Sequence, residues 1–178
     1  MVKNLYKTRE YTNILRQADI FCDLTDHQLD MVAAFCSEIR PKAGEIIFEE
    51  NSAGDELYVV ASGEVEILVN PALIRSTSNE QPTRPLAIAT IRRGQTFGEI
   101  ALVDQGLRSA SARCASKKAR LLVIPRSQLI SLCDQYPDLG YRLMRNISAD
   151  LAFKIRDTDL TIREYLLWHP PKRGSRSG

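Results

Sequence analysis

Residues 94–112 read Gly-Gln-Thr-Phe-Gly-Glu-Ile-Ala-Leu-Val-Asp-Gln-Gly-Leu-Arg-Ser-Ala-Ser-Ala. Gly98 admits a positive φ just before a short helix-like run, Glu99 to Val103, whose first N–H groups can face an anion. Arg108 follows, and after it come only small residues, Ser109, Ala110, Ser111 and Ala112, over which a ligand can approach the main chain. A carboxylate that accepts hydrogen bonds from hydroxyls, beside a guanidinium that forks onto phosphate oxygens, is the pair a sugar phosphate requires.

On either side of this stretch the chain is punctuated into short strands. Ile46-Ile47-Phe48 ends at Asn51-Ser52-Ala53-Gly54-Asp55, Leu57 to Val60 turns at Ser62-Gly63, and Val65, Ile67 and Val69 alternate with Glu64, Glu66 and Leu68. Leu86 to Ile91 and Ala119 to Ile124 complete the series, which reads as a barrel or a sandwich. Residues 70–85 hold three prolines and read as an exposed loop. Before the strands, Thr12 or Asn13 is expected to cap a segment from Ile14 to Ile20. Thr25 with Gln28 forms a capping box ahead of Leu29, Val32, Ala33 and Cys36. After the strands, Pro125 opens a helix carrying Leu129, Ile130 and Cys133. Pro137 opens a long helix to Trp168, with Leu143 or Met144, Ile147, Leu151, Ile155, Ile162 and Tyr165 as one apolar stripe. That stripe is longer than a small domain can cover, so a second copy of the helix is the expected partner.

Bulk properties narrow the function. The 178 residues make one domain, 44% hydrophobic and 26% charged. With 24 basic and 22 acidic residues, the clustered charge of a dedicated nucleic-acid binder is missing, and no DNA partner is expected. Lys172, Arg173 and Arg176 lie in a Pro/Gly/Ser-rich tail, 169–178, read as disordered. No apolar run spans a bilayer and the N-terminus carries no signal-peptide stretch, so a cytoplasmic location follows. Cys22, Cys36, Cys114 and Cys133 match no metal or redox spacing and read as buried thiols. His27 and His169 stand apart, so neither a metal site nor a catalytic base is expected, and the chain does not read as an enzyme.

Phe97-Gly98-Glu99-Ile100-Ala101-Leu102, followed at the right distance by Arg108-Ser109-Ala110-Ser111, resembles the phosphate-binding cassette of the cyclic-nucleotide-binding domain family. That family includes catabolite activator proteins and kinase regulatory subunits. Gly44, Gly54-Asp55 and Ser62-Gly63 fall where the family places its turns, and the likeness runs from about Phe21 to Ile155. The resemblance implies an α+β fold: an antiparallel, jelly-roll-like β-barrel (39–124), flanked by N-terminal helices (1–38) and C-terminal helices (125–168), the last one long. It implies a ligand site of Phe97, Gly98, Glu99, Ile100, Ala101, Arg108, Ser109 and Ala110. Glu99 would accept the ribose 2′-hydroxyl and Arg108 would pair with the cyclic phosphate. Gly98 and Ala110 would give backbone N–H groups, and Ser109 a hydroxyl. Two residues depart from the pattern: Leu107 stands for proline, and Ala112 for a β-branched residue that touches ligand.

The implied function is a sensor of a cyclic nucleotide, cyclic AMP favoured over cyclic GMP, with no cofactor, a homodimer through the 137–168 helix and an unknown protein effector. The long helix is the expected moving part, with Arg156, Asp157 and Thr158 as candidates for the purine edge. No output domain is expected within the chain. The competing expectation is a degenerate domain that binds no nucleotide and serves as a dimerisation or docking scaffold.

Overall fold

The computed structural model describes residues 2–70 and 85–168. The expected tail, 169–178, and most of the expected loop at 70–85 lie outside them. Among the described residues, eight strands form two four-stranded antiparallel sheets. β1 (Ser37–Ile39), β8 (Arg120–Pro125), β3 (Glu56–Ser62) and β6 (Thr96–Phe97) make the first, in that order. The second runs β2 (Ile46–Phe48), β7 (Ser111–Cys114), β4 (Val65–Val69) and β5 (Leu86–Ile91). The expected barrel is therefore a jelly-roll-like sandwich with helices at both ends.

The uninterrupted apolar runs of β3 and β8 follow from burial on both faces. Their register pairs Tyr58 with Val123 and Val59 with Leu122. Successive side chains point to opposite faces. Leu57, Val59, Leu122 and Ile124 thus enter a core shared with the helices, while Tyr58, Val60 and Leu121 enter the core between the sheets. One sheet separates two hydrophobic clusters, and the cassette attaches where they meet.

The helical core is built from both chain ends. α1 (Val2–Leu15) supplies Tyr11 and Leu15, a 3-10 turn (Asp19–Phe21) supplies Ile20 and Phe21, and α2 (Asp26–Ala33) supplies Leu29 and Val32. The capping box of α2 is formed: Gln28 N donates to Thr25 Oγ1 at 3.3 Å, and Thr25 N donates to Gln28 Oε1 at 2.9 Å. The expected helix from Ile14 to Ile20 is not. Thr12 lies within α1, where its buried hydroxyl contacts Thr8 O at 3.0 Å and Asp30 Oδ1 at 2.5 Å, joining α1 to α2. The residue serves a tertiary contact, and α1 ends at Leu15 because the chain must turn there. β1 likewise begins within the region read as helical, since Ser37–Ile39 finds the open edge of β8.

α4 (Arg126–Gln135) and α5 (Pro137–Trp168) pack behind this core through Leu129, Leu139, Leu143 and Ile147. Leu151 is half-buried and Ile155 exposed, so the apolar stripe of α5 meets the domain only over its first half. The side chains of Ile162 and Tyr165 are outside the described set. The four cysteines are not uniformly buried as expected. Cys114 and Cys133 are, whereas Cys36 is partly covered and Cys22 is exposed, because the turn after Phe21 spends its buried face on Ile20 and Phe21. Burial raises the Cys36 thiol pKa to about 12.

Candidate functional site

The cassette grows from β6. Thr96 and Phe97 pair with Val59 and Tyr58, both are buried, and the Phe97 ring stacks on Tyr58 with centroids 4.9 Å apart. Phe97 therefore anchors the loop to the core with its ring. Gly98 follows as the N-cap of α3 (Glu99–Asp104), at φ 86° and ψ 6°. A side chain at this position would be strained by the left-handed backbone, and its Cβ would lie 2.7 Å from Arg108 Nη1 and 2.9 Å from the Glu56 carbonyl oxygen. The residue must be glycine on both counts.

Arg108 is brought back to the start of α3 by a pair of backbone bonds. Its N–H donates to Ser52 O at 2.9 Å, and Asn51 N–H donates to its carbonyl at 2.8 Å. Asn51 adopts φ 64°, the left-handed conformation that asparagine reaches more readily than most residues. The side chain is only 3% exposed. Its guanidinium donates to Glu56 O (2.9 Å), Glu56 Oε2 (3.3 Å) and Gly98 O (3.3 Å), and lies 4.2 Å from the centre of the Phe48 ring. Cation–π contact and charge-assisted hydrogen bonds together make this burial tolerable. Arg108 Nε has no partner. Burial pushes the neighbouring Tyr58 hydroxyl above its ordinary pKa, and the Glu56 carboxylate adds to that shift.

Glu99, 4% exposed, sits on the first turn of α3. Its Oε1 accepts a hydrogen bond from Lys154 Nζ at 2.9 Å, while Oε2 is buried with no partner. Lys154 comes from α5, is 29% exposed by side chain, and pairs with Asp150 Oδ2 at 2.7 Å as well. Burial alone would lower the lysine's pKa; the facing Glu99 and Asp150 carboxylates outweigh it, so the ammonium titrates above its ordinary range. The site thus holds two buried opposite charges, each already balanced from within the chain.

A family model for the cyclic nucleotide-binding domain matches residues 38–136, more than half of the chain. The chain belongs to that family. A cyclic AMP receptor protein from Thermus thermophilus is 29% identical over 83% of this chain and 62% of its own length. A cGMP-dependent protein kinase of Drosophila melanogaster is 30% identical over 90% of this chain but 17% of its own. The chain thus spans under two thirds of either relative. Among solved structures, a cyclic nucleotide-binding domain from Methylobacillus flagellatus superposes with a TM-score of 0.71 at 20% identity, over 96% of this chain and 88% of that one, a likeness of fold.

As a cyclic nucleotide-binding domain the chain is a regulatory module, and the cassette residues are gathered around Gly98. Ile100 and Ser109 are exposed, Ala110 is buried, and Ala101 lies within α3. Leu107, at the proline position, is 58% exposed. Ala112 is fully buried and packs between the sheets. Thr158 turns its hydroxyl onto Lys154 O of its own helix, and Arg156 and Asp157 are exposed. Three residues at the site were not read as site residues from the sequence: Phe48, placed only in a strand, Glu56 and Lys154. The one local signal for Lys154 is its i,i+4 spacing from Asp150. Among the described residues no group of His, Cys, Asp and Glu could hold a metal, and no helix is long and apolar enough to cross a membrane.

Proposed function

We propose that this chain is a sensor that binds a cyclic purine nucleotide at the cassette, with cyclic AMP preferred over cyclic GMP. The observation that carries this reading is the pair of buried charges flanking Gly98: Glu99 with an open Oε2, and Arg108 against the small-residue loop. The ribose 2′-hydroxyl donates to Glu99 Oε2. The cyclic phosphate takes the guanidinium of Arg108 in exchange for part of its bonding to Glu56, with backbone N–H groups of Gly98 and Ala110 and the Ser109 hydroxyl beside it. Of the two named relatives, the one most fully spanned is a cyclic AMP receptor, which favours that ligand here. Binding selects one arrangement of α5, and the ligand's differential affinity sets how far the population moves. Phe153, Ile155 and Leu160, exposed on α5, pair with a second copy of the helix, and a protein effector reads the outcome.

Calorimetric titration with cyclic AMP and cyclic GMP, on the wild type and Arg108→Ala, tests the reading. Binding in the wild type should weaken by about thirtyfold or more in the variant, since cutting one side of a buried charge pair costs about 2–5 kcal/mol. Heat from neither nucleotide would instead support the second reading, a non-binding scaffold. That reading draws on the internal partners of both charges, Glu56 for Arg108 and Lys154 for Glu99.

A further inference from the structure

α5 meets the rest of the domain in two different ways. Over its first half the contact is apolar, with Leu139, Leu143 and Ile147 fully buried. At the next turns that contact stops, since Phe153 and Ile155 are 65% and 62% exposed. Between these two, Lys154 turns inward to the cassette. Its Nζ reaches Glu99 Oε1 at 2.9 Å, Thr96 O at 3.0 Å and Asp150 Oδ2 at 2.7 Å. Thr96 and Glu99 accept two of the ammonium's three N–H groups, and Asp150 adds an ion pair. Glu99 is left divided: one oxygen is held from α5, and the other is buried without a partner.

We propose that Lys154 is a positioning residue that orients Glu99 through Oε1 and clasps α5 to the cassette at the level where the helix leaves the domain. The clasp is made by residues of this chain alone; only the identity of the donor at Oε2 rests on the nucleotide reading. Fixing Glu99 from either side lowers the ordering cost for the other partner, so a hydroxyl on Oε2 tightens α5 and Lys154 tightens the ligand. Reciprocity makes the two factors equal. Without Lys154 a nearly inaccessible carboxylate loses its counter-ion and must reorient toward water.

Hydrogen exchange over residues 150–158 of the full chain, with cyclic AMP titrations alongside, tests this on Lys154→Met, Lys154→Arg and Glu99→Gln. Without nucleotide, Lys154→Met should exchange on the order of tenfold faster there, the scale of a hydrogen bond to a charged group. Lys154→Arg should recover most of the protection. The Lys154→Met, Glu99→Gln double variant should be no looser than the worse single one. Cyclic AMP should bind Lys154→Met about tenfold more weakly and protect its helix less. Wild-type exchange in Lys154→Met, additive effects in the double variant, or a loosened helix with unchanged nucleotide affinity would each overturn the proposal. Faster exchange in Lys154→Met, with no heat from any nucleotide in the wild type, would leave the clasp standing and refute the nucleotide reading instead.

Discussion

Gly54→Ala is a change of one methyl group whose effect can be worked out from the position of Arg108. A Cβ built at residue 54 lies 2.0 Å from Arg108 Nε and 2.2 Å from its Cζ. Ordinary contact begins near 3.4 Å, so the guanidinium must retreat by about 1.4 Å. Arginine is flexible, but here it has nowhere to go. The Phe48 ring lies 4.2 Å from Cζ, and the Gly98 and Glu56 carbonyl oxygens hold its terminal nitrogens at 3.3 and 2.9 Å. The side chain therefore leaves its slot and gives up its bonds to Glu56 and Gly98, which span 2.9 to 3.3 Å. Once rehydrated it recovers part of their energy. The remaining loss, with overpacking in the range of 1–3 kcal/mol, comes to about 2 kcal/mol. Denaturant unfolding should show a lower midpoint at unchanged slope, and cyclic AMP should bind about thirtyfold more weakly. Gly44→Ala is the control. It meets nothing within 4 Å but carries φ +81°, so it should cost about 1 kcal/mol of stability and leave affinity untouched. If Gly54→Ala matches the wild type in both assays, or matches Gly44→Ala in affinity, the wedged arginine is refuted.

Glu38 predicts an acid limb of stability. Hydrogen bonding to Arg120, at 2.6 Å, holds its carboxyl below the ordinary glutamate range. A lowered folded-state pKa favours the fold above the unfolded value and loses that contribution as pH falls through the folded one. Melting temperature should therefore drop as pH falls below the ordinary glutamate range, and Glu38→Gln should start lower and fall less steeply; parallel curves would contradict this. Leu143→Ala, at a fully buried site on α5, should lower unfolding free energy by about 2–5 kcal/mol; a loss under about 1 kcal/mol would mean that α5 packs differently. Thr25→Ala removes one half of the capping box and should cost about 1 kcal/mol, read by denaturant midpoint, with no effect expected for Thr25→Ser.

Local chemistry was legible wherever it acts on neighbours in the chain. The capping box at Thr25 and Gln28, the helix opened by Pro137 and the left-handed backbone at Gly98 all depend on a few adjacent residues. Alternation located the strand at Val65–Val69, and short apolar runs bounded by turn residues located four more. What stayed hidden depends on distant partners. β6 has two residues, too few for any period, and exists because Tyr58 and Val59 present an edge to it. Thr12 looks like a cap until Asp30 is folded beside it. Within the site, Glu99 and Arg108 were readable as types, but their internal counter-charges were not. Glu56 precedes Arg108 by 52 positions and Lys154 follows Glu99 by 55. Exposure of Ile155 was equally unreadable, since a helical stripe shows which face is apolar and not how far the covering domain extends.

The length of α5 gives the Lys154 contact a mechanical meaning. From Lys154 to Trp168 the helix continues for fourteen residues, roughly 21 Å at 1.5 Å per residue. A helix is stiff over that distance, so it acts as a lever whose fulcrum lies beside the cassette. A tilt of about 10° at the fulcrum would carry its far end about 4 Å, roughly two thirds of the 5.4 Å pitch of one helical turn. Whatever grips the far end would feel a displacement that grows in proportion to its distance along the helix from Lys154.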